Sequence, residues 1–230
     1  MQEILTDLLP NLTDKWFDFL QAIVDTLVME AWAGSIGFVF GFSFGIILTV
    51  TKKGGILENI AVFKTLDTIT NLFRSIPFII LLTAIMPLSR AIMGTAINVR
   101  GAIVPLVFGS VPFFTRQVQS ALAQTSDGLV EAAEAMGLSP FDIIIRVYIR
   151  ESIGPLARAT TITAISLLGL TAMAGVVGAG GLGDFAIRYG HDRNMKDITW
   201  VTVIVLVIAV SALQLAGDTI AKKHDFSRTN

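Results

Sequence analysis

Three stretches of this sequence, residues 31–51, 159–183 and 198–217, run for 21, 25 and 20 residues without a charged side chain. About 20 helical residues cross the hydrocarbon of a bilayer, and an ionisable group at its centre costs roughly 3 kcal/mol or more, so each run predicts a spanning helix. Two shorter runs, 75–89 and 101–115, have 15 residues each and reach spanning length by borrowing their neighbours. Composition agrees, with 53% hydrophobic and 15% charged residues and a mean hydropathy of +0.71, far above a soluble domain. The reading is an all-α polytopic membrane protein with five transmembrane helices, at about 23–51, 59–88, 101–123, 159–183 and 198–218.

The Lys and Arg residues orient these spans. With five crossings, the N-terminal segment and the 90–100 and 184–197 loops share one side and hold six, Lys15, Arg90, Arg100, Arg188, Arg193 and Lys196. The opposite side holds the other eleven of the 17, which places the N-terminus outside and the C-terminus inside. The start Met-Gln-Glu lacks a basic stretch and a cleavage site, so no removed signal peptide is expected. Residues 1–22 read as an extracytoplasmic amphipathic lead-in, with Leu5, Leu8, Leu12, Trp16, Phe19, Ile23 and Leu27 at helical spacing. Its acidic polar face argues against a helix lying on anionic lipid and for one that packs on the first span. Residues 23–218 form the transmembrane domain, with a hydrophilic loop at 124–156, and residues 219–230 a cytoplasmic tail.

Several chemistries are excluded. The 17 basic and 18 acidic residues nearly cancel, leaving no field to hold nucleic acid. With no cysteine and only His191 and His224, there is no disulfide, thiol nucleophile or zinc constellation, and no metal site is expected. The run Gly178 to Gly183 spells G-x-G-x-x-G, but it ends an apolar helix instead of following a strand, so it reads as a flexible outer elbow. No Gly-Lys pair exists to build a P-loop. The long charge-free runs carry no Asp, Glu or His with which an ion gradient could be coupled, so energy must come from elsewhere. Gly37, Gly41 and Gly45, four apart, allow close approach of another helix, either of this chain or of a second copy. Pro77, after Arg74, should bend or restart its helix.

The loop after residue 124 points to that outside source. Ser126 or Asp127 can cap a short helix, Gly137 can end it in a left-handed turn, and Ser139-Pro140 can start a second helix running to Ile149. Two short helices at a tight glycine turn, with small Ala132 and Ala133 exposed, make a compact cytoplasmic knob. Physics alone leaves a partner-docking knob and an ordinary helical hairpin equally open.

Glu131-Ala132-Ala133 followed by Gly137 is similar to the EAA motif of permease subunits of ABC importers of the type I fold. Val147 and Ile149 match its hydrophobic pair; Arg150 stands where the motif has proline, and Pro155 is placed to end the second helix. The segments Phe73–Leu82, Val177–Gly183 and Leu215–Asp218 further resemble the methionine-import permeases, in the same order and spacing. The resemblance implies a homodimeric permease in a bacterial cell membrane, an ABC ATPase dimer beneath it, and an extracytoplasmic solute-binding protein. It implies no cofactor in this chain, since ATP and Mg would be bound by the ATPase partner, and no bond chemistry, so the chain is not an enzyme. Glu131, Ala132, Ala133, Gly137 and Asp142 would couple to the ATPase. Asp184, Arg188 and Arg193 would meet the binding protein, or be an ordinary solvated loop. Ser166, Leu170 and Met173, on one semi-polar face of the fourth span, would line the pathway, although the spacing favours an ordinary packing role for Met173. The substrate expected is L-methionine, its D-isomer or close derivatives; the alternatives are an ABC permease for another small amino acid or dipeptide, and an ion-coupled secondary carrier.

Overall fold

A computed structural model describes residues 9–223. Leu5, Leu8, His224 and most of the predicted tail lie outside the described residues. The chain is helical, with no strand among the described residues. In order, the helices are α1 (Pro10–Asp14), α2 (Trp16–Thr51), α3 (Ile60–Ser75), α4 (Phe78–Ala84), α5 (Met86–Met93) and α6 (Asn98–Leu122). They continue with α7 (Asp127–Ala135), α8 (Pro140–Ile143), α9 (Ile153–Gly175), α10 (Gly181–Phe185) and α11 (Lys196–Lys223). Wider π-helical turns follow α8, over Ile144–Ile149, and α10, over Ala186–His191.

Four helices, α2, α6, α9 and α11, are long and apolar enough to cross a membrane, and α3 with α4 qualify as a fifth span only when taken together. Residues 59–88 are therefore not one helix but α3, α4 and the start of α5. The cause is local: Pro77 drives the preceding residue out of the helical region, and Ile76 sits at φ −86°, ψ 121°. Hydroxyls inside the spans satisfy themselves on the preceding turn, as Thr49 on Gly45 O, Thr115 on Val111 O, Thr163 on Ala159 O and Thr202 on Ile198 O, which removes the cost of an unpaired donor in lipid.

The chain divides into two compact units. The first comprises residues up to Ser35, Pro77–Gly109 and Ala164–Ala212. Its cores gather Met29, Ala33, Leu82, Leu106 and Leu167 in one cluster, and Leu12, Phe19, Ala22, Leu182, Phe185 and Ile198 in another. The second comprises Ile36–Ile76, Ser110–Thr163 and the chain from Leu213 onward, around Val50, Phe114, Val118, Leu122, Ile143 and Tyr148.

Within the second unit, the glycine stripe of α2 meets the chain's own α6. A Cβ on Gly37 would come within 2.7 Å of Ser110 Oγ, one on Gly41 within 2.9 Å of Phe114 Cβ, and one on Gly45 within 2.6 Å of Val118 Cβ. Backbone thus packs against side chains at three successive turns, which only glycine permits.

The lead-in differs from the expectation. It does not fold back on the first span: α2 begins at Trp16 and continues unbroken into that span. Burial falls on Leu12, Phe19 and Ala22, whereas Trp16 and Leu27 of the predicted stripe are exposed. The buried side packs on Leu182, Phe185 and Tyr189, far along the chain. Asp197 ties the start down, accepting from the backbone N–H groups of Asn11 (3.0 Å) and Leu12 (3.2 Å) and from the Asn11 amide (2.9 Å).

Candidate functional site

The loop of the second unit takes the shape its residues dictate. α7 starts after Ser126, whose backbone is extended but whose side chain caps nothing. Gly137 closes it at φ +79°, with its N–H on Glu134 O (2.9 Å) and the Leu138 N–H on Ala133 O (3.2 Å). A Cβ at Gly137 would meet nothing within 4 Å. Ser139 caps α8 by accepting from the Asp142 N–H at 3.2 Å, and its hydroxyl donates to the Asp142 carboxylate at 2.6 Å. Asp142 in turn pairs with Arg146 at 3.1 Å, an exposed pair worth little to stability. The apolar undersides of these segments, Val130, Ala133, Ile143 and Tyr148, enter the unit's core. Burial, and after it the carboxylates of Asp127 and Glu134, pushes the Tyr148 phenol above its usual range.

Two expectations about this loop are corrected. Ala133 is 2% exposed, so it is a core residue beneath the knob, and only Glu131 and Ala132 of that triplet face outward. Pro155 does not end the second helix: it is the third residue of α9, a position where its missing N–H costs nothing. The second short helix is instead one turn of α-helix continued by the π-helical run. The outward surface is apolar in a way the sequence motif did not single out: Leu129, Met136 and Phe141 are 47%, 72% and 72% exposed.

In the first unit, the elbow at residues 178–183 is held in place, not flexible. α9 ends at Gly175, short of the predicted Gly183, and Gly178, Gly180 and Gly181 all take positive φ. Gly178 O accepts from the Asn98 N–H (3.0 Å), the Leu182 N–H donates to Thr26 Oγ1 (2.8 Å), and a Cβ on Gly181 would collide with Met29 and Thr26 at 2.8 Å. No strand precedes it, so it lacks the setting of a dinucleotide loop.

The loop residues Asp184, Arg188 and Arg193 come together around one side chain, Tyr189. Asp184 and Arg188 form an ion pair at 3.0 Å; the guanidinium carbons of Arg188 and Arg193 lie 4.9 and 4.8 Å from the Tyr189 ring centroid, and its hydroxyl donates to Asp18 at 2.8 Å. Tyr189 was missed from the sequence; its signal was a tyrosine between two arginines in a loop otherwise short of aromatics. On α9, Ser166 and Leu170 are half-buried and Met173 is 41% exposed. Leu170 packs with Phe78 around Gly109 and so also serves the core, while Met173 faces away from it.

A second missed cluster sits in the second unit. Arg116 donates to the Asp67 carboxylate and to Asn71 Oδ1 (2.8 Å) and Gln119 Oε1 (2.6 Å), holding α3 to α6. Among the described residues no group of three or more His, Cys, Asp or Glu side chains could hold a metal ion.

Residues 37–229 match the family described as binding-protein-dependent transport system inner membrane component. The chain is 43% identical, over 94% of its length and 98% of the relative's, to a probable D-methionine transport system permease protein MetI of Vibrio cholerae. It is 38% identical to the methionine import system permease protein MetP of Bacillus subtilis, over 94% and 95% of the two chains. In structure it is similar to a chain of the MetNI methionine ABC transporter in inward-facing conformations, with a TM-score of 0.88 and 41% identity over 91% and 97% of the two chains. An amino acid ABC transporter crystallised with histidines shares the fold at 14% identity, with a TM-score of 0.76. This chain belongs to the inner-membrane permeases of binding-protein-dependent ABC importers, in the methionine-import family.

Proposed function

We propose that two copies of this chain form the translocation pathway of an ATP-driven importer for L- and D-methionine, with the N-terminus outside and the C-terminus in the cytoplasm of a bacterial cell. The observation that carries the reading is the match to the methionine transporter chain, which spans nearly the whole of both chains at 41% identity and a TM-score of 0.88. ATP and Mg are held by a separate ATPase pair, and a solute-binding protein delivers substrate from outside. The knob at 126–150 docks the ATPase through Leu129, Met136 and Phe141 around Gly137; Glu131 adds charge at the helix start and Ala132 a close-packing position, while Asp142 acts by ordering the turn. Met173, soft and outward-facing, offers a thioether surface to a thioether substrate, beside Ser166 and Leu170. The charged loop around Tyr189 meets the binding protein through a polar, transient contact.

The test is uptake of labelled L- and D-methionine into proteoliposomes containing this chain, its ATPase and its binding protein. ATP-dependent uptake is expected, with no hydrolysis by the purified chain alone. Uptake driven by an ion gradient without the ATPase would establish a secondary carrier instead. Uptake of another amino acid or a dipeptide that methionine fails to inhibit would overturn the substrate.

A further inference from the structure

Next to the Tyr189 cluster, within the first unit, lies an open cavity of about 570 Å³ at the start of α11. Its polar lining consists of His191, Asn194, Lys196, Thr199 and Trp200, and includes no carboxylate. The Lys196 ammonium, the Trp200 indole N–H and the Asn194 amide all donate, and none of these has a side-chain partner among the described residues. The neighbouring acids do not neutralise the lining: the Asp197 carboxylate is taken up by Asn11 and Leu12, and exposed Asp192 lies outside the cavity wall. A ligand rich in acceptor oxygens and negatively charged is what this set of groups fits, and a lysine's compact charge suits a phosphate.

What lies below the cavity narrows the ligand further. Trp200 is 67% exposed, and Val203, Ile204, Val207 and Ile208 continue from it as an exposed apolar strip on one side of α11. Only 11% of the most apolar stretch of that helix is buried within the chain. A cationic, donor-rich pocket at the head of an apolar helical strip, with an indole at the boundary, matches an amphiphile with an anionic head and hydrocarbon chains.

We propose that this cavity binds the phosphate headgroup of an anionic phospholipid, whose acyl chains lie along the Val203–Ile208 strip. The proposal rests on the membrane placement of α11 from the preceding reading, and on neither the substrate nor the ATPase. A soluble phosphate would use the cavity and leave the strip aside; the continuity of the two favours the lipid.

The test is native mass spectrometry of the purified chain in neutral detergent, titrated with dioleoyl phosphatidylglycerol or dioleoyl phosphatidylcholine. Preferential retention of phosphatidylglycerol is expected. Lys196→Ala should weaken it about fivefold, the value of one cation near an anionic lipid surface, and Lys196→Ala/Asn194→Ala further, while Lys222→Ala leaves it unchanged. Thermal melts in phosphatidylcholine, equal for all variants, separate lost binding from lost folding. Equal retention of the two lipids, wild-type retention by the double variant, or displacement by inorganic phosphate would overturn the proposal. So would dissociation of a dimer by Trp200→Ala with lipid retention unchanged, which would assign the strip to a second copy, or loss of binding-protein association by the double variant with lipid retention unchanged. Failure of methionine uptake would refute the substrate assignment and leave this measurement standing.

Discussion

Gly137→Val tests the coupling knob because the structure separates two costs that such a change usually mixes. The glycine holds φ +79°, where a residue with a Cβ is strained by about 1–2 kcal/mol and a β-branched one by more. No atom lies within 4 Å of the new Cβ, so there is no steric term inside the chain. The strain is relieved by unwinding the turn, which releases the N–H bonds of Gly137 and Leu138 to Glu134 O and Ala133 O, each worth about 1 kcal/mol net. Either route displaces Met136 and Phe141, the two most exposed apolar side chains of the knob, relative to α7. A loss of 1.4 kcal/mol is a tenfold change in an association constant, so ATPase retention should fall by about that factor or more. Gly137→Asn is the informative companion. Asparagine tolerates positive φ, so it adds a side chain at the same open position with little strain, and retention within about threefold of wild type is expected. The measurements are co-purification of the ATPase in detergent and substrate-stimulated hydrolysis in liposomes. Wild-type behaviour of both variants would remove residues 126–150 from coupling. Equal loss in both would show that surface bulk, not backbone strain, is what the partner senses.

Gly45→Ala should destabilise the folded chain by about 1–3 kcal/mol in detergent unfolding, because the added carbon would lie 2.6 Å from Val118, whereas Gly169→Ala, with open space around it, should be neutral or stabilising. Asp197→Ala should release the start of the chain, seen as faster hydrogen exchange at the amides of Asn11 and Leu12, both of which lose their acceptor; unchanged protection would mean that Leu12 packing alone holds α1. Met173→Ala should alter methionine uptake kinetics with little loss of stability, since a side chain 41% exposed leaves a much smaller cavity than the fully buried methionine whose loss costs about 2–5 kcal/mol. Loss of stability and assembly together with uptake would make Met173 a packing residue.

What the sequence reveals and what it hides follow from the range of the interactions involved. The spans are legible because a run without charges has one stable setting in lipid, and the knob is legible because Gly137 and Ser139-Pro140 act on their immediate neighbours. The bounds are less so: α9 stops at Gly175, and the segment beyond it is tied by Gly178 O to Asn98 and by the Leu182 N–H to Thr26, residues more than 70 positions away in the chain. Ala133 looked like half of an exposed pair with Ala132, but a helix turns by 100° per residue, and here one neighbour faces the core and the other the outside. The lead-in stripe misled for the same reason, since its helix serves partners at 182–198 that no local pattern names. The Tyr189 and Arg116 clusters each join distant elements with ordinary residues, which carry no signature until the fold assembles them.

The three glycines of α2 that face Ser110, Phe114 and Val118 have a mechanical consequence. Each successive contact is four residues beyond the last, so the two helices mesh like a rack with teeth about 6 Å apart. A slide of one or two ångströms would drive side chains into a backbone that offers no recess between the glycines. The only other seated position lies a full turn away, too far for a breathing motion. This stretch of α2 and α6 therefore travels as one strut, and the helix break at Pro77, unlike this seam, is where the backbone can bend during a transport cycle.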